Sequence, residues 1–377
     1  MKPLEGLRVL DFAQFLAGPA AALRLADLGA EVIKVERPNG GDLCRGLVVA
    51  DQMLDGDSLL FHTINRNKSG VSADLKDPVD LQRVKKLIAT ADVMIHNFRP
   101  GVMEKIGLDF QTVKALNPRI IYASVTGYGS KGPWVKKPGQ DLLVQSLTGM
   151  PWLSGDSDQG PVPVAFAVLD ITCGNHLSQG IMAALLRRSL TGQGALVEVD
   201  LMSSSLDMQF EMITSYLAGA PTQPERCAVA NAGVNSTAPY GIYKVRDGHI
   251  AIAMAPISKL ADLLNSPTLA AFGDPLIAFT KRDEIKAVLR DFLLPKSARE
   301  LLDVLEPADI WCAEVLDWPR MMEEEGFKSL DALQSVTSHG GTQMQTTRCP
   351  IRIDGEVLTS TKGAPALGAD NAEYFTD

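Results

Sequence analysis

Residues 8–36 read RVLDFAQFLAGPAAALRLADLGAEVIKVE. Three segments lie in that stretch. Arg8–Phe12 is a short apolar run that reads as a buried strand. Ala17-Gly18-Pro19 then opens a small-residue helical stretch that runs through Leu28 to a stop at Gly29. Glu31–Glu36 alternates as a second strand. A strand, a helix opened by Gly-Pro and another strand make the beginning of a βαβ unit.

The same period continues outward. Gly70–Leu75 reads as a strand, Pro78–Thr90 as a helix, Asp92–Phe98 as a strand, Pro100–Leu116 as a helix and Arg119–Thr126 as a strand. Such alternation predicts a parallel sheet covered by helices on both faces. Further on, Gly139–Gly149 reads as helical, Ile171–Ser189 as a buried helix, Leu196–Leu201 as a strand and Ser203–Leu217 as a helix. Residues 218–239 are rich in Pro, Gly, Asn and Thr and read as a linker.

Beyond the linker, Tyr240–Val245 and His249–Ala253 flank Arg246-Asp247-Gly248 as a hairpin. The helical stretches Ser258–Leu264, Lys281–Leu294 and Ser297–Leu305 follow, and Pro350–Asp354 reads as a last strand. The expected organisation is therefore an α/β protein. A large Rossmann-like domain uses residues 1–217 and 340–377, and a smaller α+β domain uses 240–339.

Composition narrows the function. The 377 residues are 46% hydrophobic and 21% charged, with a net charge of −9. An acidic chain lacks the basic face that nucleic acid requires, and no apolar run is long enough to span a membrane. The five cysteines are scattered without a C-x-x-C pair, and the five histidines show no metal-binding spacing. The expected chain is cytoplasmic, with neither metal nor permanently bound cofactor.

Gly127-Tyr-Gly129-Ser-Lys-Gly132 matches the dinucleotide G-x-G-x-x-G pattern. Pro133 and Pro138 oppose the helix that such a fingerprint needs, so the stretch reads as a loop at the end of a strand. Cations recur after the early strands: Arg37, Arg45, Arg66, Lys68, Lys76, Arg99 and Lys105. Ligands of open α/β sheets lie beyond the carboxyl ends of the strands, so together these cations point to a phosphate-bearing ligand. Asp170 ends the apolar stretch Val164–Asp170 just before a helix, where it reads as an N-cap and as a carboxylate held ionised by the helix dipole. Asp141 also reads as a cap, and His176 as a hydrogen-bonded core histidine.

Several stretches in combination resemble the class III (CaiB/BaiF-type) coenzyme A transferase family. They are the opening segment through Gly46, NRNKSGVSADLK (65–76), HNFRPGVMEKIGLDF (96–110), NPRIIYASVTGYGSKGP (117–133), PGQDLLVQSLTGM (138–150), APYGIYKVRDGHIAIA (238–253) and CPIRIDGE with GAPALG (349–368). The family includes formyl-CoA:oxalate and carnitine CoA-transferases and α-methylacyl-CoA racemases.

The resemblance implies CoA transfer from an acyl-CoA to a small carboxylic acid, with Asp170 as nucleophile and an interlocked homodimer. It places CoA contacts at Leu16, Ala17, Arg37, Ala73, Asp74, Leu75, Lys76, Asn97, Phe98, Arg99 and Lys105. Pro138, Gly139, Gln140 and Asp141 fall beside the acyl group. Leu16 stands where formyl-CoA transferases carry glutamine. Their tetraglycine loop is absent, and residues 226–237 are rich in Ala, Asn and Val instead. A racemase on the same fold is the alternative that the resemblance leaves open.

Overall fold

The computed structural model describes residues 1–219 and 223–376. Residues 220–222, inside the expected linker, and residue 377 lie outside the described residues.

The chain divides into two units. The first comprises residues 1–144, 167–208 and 331–377. Its centre is a parallel six-stranded sheet built from β1 (Arg8–Asp11), β2 (Glu31–Glu36), β3 (Ser69–Ser72), β4 (Val93–His96), β5 (Ile121–Thr126) and β6 (Ala195–Asp200). The strand order is β3-β2-β1-β4-β5-β6. This is the doubly wound order, with its switch point between β1 and β4.

Helices α1 (Ala17–Asp27), α2 (Leu59–Asn65), α3 (Pro78–Thr90), α4 (Val102–Ile106), α5 (Phe110–Leu116), α6 (Asp141–Leu147, of which residues 141–144 belong to this unit), α7 (Val168–Thr191) and α8 (Leu201–Met208) follow the strands. Leu10, Ile33, Val71 and Met94 from four adjacent strands share one core with Val84 and Ile88 of α3. The continuous apolar runs of the sequence are therefore buried strands, as a sheet covered on both faces requires.

Three expectations are corrected. The helix expected over 100–116 breaks into α4 and α5 because Gly107 takes a left-handed conformation, φ 70°, and Asp109 caps the next turn through Gln111 and Thr112. The helix expected over 203–217 is likewise two: α8 and α9 (Phe210–Leu217). The strand expected at Pro350–Asp354 is only Arg352–Ile353, paired with Glu356–Val357 in a hairpin of its own. A second hairpin, Leu333–Thr337 with Gln343–Thr347, has no counterpart in the sequence reading; its Gln, Ser and Thr content hides the alternation.

The second unit comprises residues 145–166 and 209–330. Strands β7 (Gly241–Val245), β8 (Gly248–Ile252) and β9 (Cys312–Glu314) form an antiparallel sheet in the order β9-β8-β7. Helices α10 (Ile257–Leu263), α11 (Pro267–Ala270), α12 (Arg282–Leu293) and α13 (Ala298–Leu305) supply Leu260, Leu269, Ile285, Leu289 and Leu301 to its core. Ser297 and Glu300 close a reciprocal capping box on α13. Among the described residues no helix is long and apolar enough to cross a membrane.

Candidate active site

The carboxyl ends of β3, β2, β1 and β4 open onto a cavity of about 210 Å³. Gln14 follows β1, Glu36 and Arg37 close β2, Ala73–Lys76 follow β3, and Phe98 follows β4. Six of the expected CoA contacts thus come together: Arg37, Ala73, Asp74, Leu75, Lys76 and Phe98. This is where an open α/β sheet presents its ligand site.

The other expected contacts flank this cavity or support it. Asn97 stitches across the switch point: its Oδ1 accepts the Gln14 N–H at 2.8 Å and its Nδ2 donates to the Gln14 carbonyl at 2.6 Å. Ala17 is buried at the start of α1, and Leu16 packs against the small core cluster that holds Phe61 and Ile64. Arg99 is exposed just after β4. Lys105 is exposed on α4, between the lining residues Val102 and Ile106.

Three of the seven cations read as a phosphate rim are internal struts instead. Arg45 is buried and makes two 2.7 Å bonds to Glu36 and one of 2.6 Å to Asp57. Arg66 is buried against Asp27. Lys68 is fully buried and donates to Asp11 at 2.8 Å and to the Pro19 carbonyl and Asn65 at 2.9 Å. A sequence shows charge but not depth, so these were indistinguishable from rim cations. Sequence reasoning also missed Lys34. It lies fully buried inside β2, between Asp42 and the Ala13 carbonyl, both at 2.9 Å, and fixes the loop after β1 that lines the cavity.

Asp170 lies in the first turn of α7, and its placement corrects the capping expectation. The helix begins at Val168 after Ala167, so Asp170 is inside the helix rather than its N-cap. The cap comes from a distance in sequence. Asp141 Oδ2 accepts the backbone N–H groups of Leu169 at 2.7 Å and Asp170 at 3.2 Å. Asp141, buried at the start of α6, is therefore the cap of α7.

Asp170 is not held ionised by the helix dipole, as the sequence reading had it. Burial, and then the negative charge of Asp141, push its carboxyl up to about 7. Among the described residues none hydrogen-bonds to its carboxyl oxygens. It is a half-buried carboxyl with an elevated proton affinity and both oxygens available to a substrate.

Close backbone approaches hold this arrangement. A Cβ at Gly174, one turn after Asp170, would meet the Ala17 carbonyl at 2.7 Å, so α7 lies directly on the start of α1. A Cβ at Gly127 would stand 2.6 Å from the Gly139 Cα. The apparent dinucleotide fingerprint is thus a packing site. Its first glycine lets the strand end lie against Pro138-Gly139-Gln140, three exposed residues that lead into Asp141. His176 bonds Ser204 at 3.0 Å and sits 3.2 Å from Asp207 in a half-buried position on α7.

A known family matches this chain. The signature of CoA-transferase family III covers residues 4–371. The chain belongs to that family. Succinate–glutarate CoA-transferase of Agrobacterium fabrum is 30% identical over 100% of this chain and 95% of its own length. Mouse succinyl-CoA:glutarate CoA-transferase is 36% identical over 71% of this chain, and the matched region spans 61% of that protein. Among solved structures, Rv3272 from Mycobacterium tuberculosis superposes with a TM-score of 0.85 at 31% identity, covering 99% of each chain. A CAIB/BAIF family protein from Brucella suis gives 0.82 at 31% identity, over 99% of this chain and 98% of its own. The family and the α/β fold expected from the sequence are both established by these matches.

Proposed function

We propose that this CoA-transferase moves coenzyme A from an acyl-CoA to a small carboxylic acid through a covalent aspartyl-CoA intermediate on Asp170. The observation that carries this reading is the state of Asp170. It is desolvated, unbonded at both oxygens among the described residues, and anchored by its own backbone N–H to Asp141. A carboxylate stripped of hydrogen bonds and water is a far better nucleophile than one in solution.

Once ionised, Asp170 attacks the donor thioester carbonyl, and the C–S bond breaks to give a mixed anhydride and CoA thiolate. The thiolate attacks the aspartyl carbonyl and expels the donor acid as its carboxylate, leaving an aspartyl-CoA thioester. The acceptor carboxylate attacks that thioester and releases CoA thiolate, which takes the acyl group from the resulting anhydride and frees Asp170. Thioester is exchanged for thioester, so the sequence needs no external energy source. Contacts to the CoA nucleotide around the cavity hold the thiolate in place between steps. Arg37, Lys76 and Lys105 supply cations for its phosphates. Gln140, with the backbone of Pro138 and Gly139, faces the acyl group.

Short dicarboxylic acids are the first acceptors to try, since relatives are named for glutarate, succinate and oxalate. We place the enzyme in the cytoplasm, consistent with its unpaired thiols, and as a homodimer. Phe210 and Leu217 of α9, 69% and 75% exposed, are the kind of surface a partner covers.

The test is covalent capture. Enzyme incubated with acyl-CoA and no acceptor carries a CoA-sized adduct in intact-protein mass spectrometry. Hydroxylamine converts it to a hydroxamate at residue 170. Absence of adduct with every donor that supports turnover rejects the covalent path.

A further inference from the structure

Within the first unit, a second cluster of reactive side chains lies away from Asp170. The two-residue strands Met53–Leu54 and Asp57–Ser58, helix α2 and the turn after Leu333–Thr337 bring Asp57, His62 and His339 together. One carboxylate oxygen and one ring nitrogen of each histidine all lie within 4.8 Å of one another.

His62 is 1% exposed. Its Nε2 is 2.8 Å from the Leu54 carbonyl, an acceptor only, so Nε2 carries the proton and Nδ1 the lone pair. That Nδ1 is buried with no hydrogen-bond partner among the described residues. A buried, unpartnered imidazole nitrogen costs free energy unless something fills its lone pair. A backbone carbonyl on the opposite nitrogen is the arrangement that orients a metal-ligating histidine.

The geometry of the other two residues agrees. His339 Nε2 is 3.2 Å from Asp57 Oδ2. Two ligands about 2.0–2.1 Å from one tetrahedral ion stand about 3.3 Å apart. The His62 and His339 rings stack with centroids 5.6 Å apart.

We propose that Asp57, His62 and His339 form a binding site for a divalent transition-metal ion of the zinc type. Two imidazoles and a carboxylate select such an ion over Mg²⁺ or Ca²⁺, which prefer all-oxygen shells. The surrounding charge favours a dication. Glu36, Asp55 and Asp57 are three carboxylates against two cations, Arg45 and Lys34, which faces Glu36, and Asp55 is held in place by Ser338 and Thr342. Arg45 donates to the same Asp57 Oδ2 at 2.6 Å and is itself gripped by Glu36, so it holds that oxygen beside His339. His339, with 23% of its side chain exposed, leaves the ion a route from solvent and a coordination position for water.

The consequence is mechanical. Glu36 also lines the cavity at the strand ends. An ion at this site fastens the hairpin and the 338–342 turn to the Glu36–Arg45 pair behind that cavity wall.

The experiment uses the full chain, stripped with chelator and titrated with Zn²⁺ by calorimetry, with Co²⁺ as a spectroscopic probe. The expected result is one ion per chain, and Co²⁺ bands of tetrahedral nitrogen–oxygen ligation without thiolate charge transfer. Mg²⁺ gives no heat. His339→Ala, a change near the surface, weakens Zn²⁺ binding at least a hundredfold while leaving the circular dichroism spectrum intact. Asp57→Asn weakens it at least tenfold. No binding overturns the proposal. So does a thiolate spectrum, or unchanged affinity in His339→Ala.

Discussion

Asp141, on one short helix, caps the helix that carries Asp170: its Oδ2 accepts the Asp170 backbone N–H at 3.2 Å and that of Leu169 at 2.7 Å. Burial, and then the same carboxylate, raises the proton affinity of the Asp170 side chain. One residue therefore fixes the position of the other and adds to the effect of burial on its ionisation.

The capping half of that relationship is separable by mutation. Asp141→Ala leaves two first-turn N–H groups without their acceptor and is expected to cost about 0.5–2 kcal/mol. Asp141→Asn keeps an oxygen acceptor and is expected to cost less than half as much. Urea denaturation of the two variants checks the order; equal losses would mean that charge rather than hydrogen bonding holds the turn.

The electrostatic half appears in pH profiles. Burial, then Asp141, place the Asp170 pKa at about 7, so kcat/KM, which reports the free enzyme, rises with pH through about 7. Asp141→Asn removes the second cause and moves that limb to lower pH. Stability runs the opposite way. The folded pKa lies above the unfolded value of about 3.9. The contribution is therefore complete below about pH 4 and is lost as pH rises through about 7. Asp170→Asn removes this loss, so the variant gains stability relative to wild type at pH 8 but not at pH 4. Parallel melting curves at both pH values would contradict the assignment.

Gly127 and Gly139 touch backbone to backbone, with 2.6 Å between an added Cβ and the opposing Cα. Gly127→Ala is expected to displace the 138–140 segment and lower kcat at least tenfold, because misplacement of about 1 Å costs that much or more. Binding of CoA at the cavity beyond β1–β4 should be unchanged by calorimetry. Equal damage to both would point to a general loss of fold.

The sheet was legible because its strands are continuous apolar runs and its helices begin with Pro or Asp and end at Gly, as at Pro78 and Gly29. Pro78–Thr90 is a helix with the bounds read from sequence. The polar hairpin at 333–347 escaped because its alternation involves Gln, Ser and Thr rather than apolar residues. At the site, the residue types at 140, 141 and 170 were legible. The Asp141 cap on α7 was not, because it joins residues 28 apart through the tertiary fold. Burial of Lys34, Lys68 and Arg66 was equally invisible, since their partners Asp42, Asp11 and Asp27 are close only in space.

Arg37 is exposed, and its Nε donates to the Gly41 carbonyl at 2.9 Å, which aims the guanidinium along the cavity rim. Arg37→Ala is expected to raise KM for acyl-CoA about tenfold with little change in kcat, and to flatten the dependence of KM on ionic strength. An unchanged CoA dissociation constant removes Arg37 from the phosphate site.

Transfer and racemisation on this fold differ in what stands opposite Asp170. The resemblance to the family implies that its racemases carry histidine at the position of Gln140, as the second acid–base group flanking Cα. Gln140 is exposed here, and an amide neither gives up nor takes a proton near neutral pH. Asp170, with its pKa at about 7, is the titratable group free to react, and on the proposed transfer path it is consumed in attack on the carbonyl. A 2-methylacyl-CoA incubated with enzyme in D₂O should therefore gain no deuterium at Cα over the time of many transfer turnovers, as read by mass spectrometry of the recovered thioester. Gln140→His supplies the missing proton carrier and should introduce measurable exchange while slowing transfer. Rapid exchange by the unmodified enzyme would mean that Asp170 works as a base toward Cα, and the transferase reading would fall.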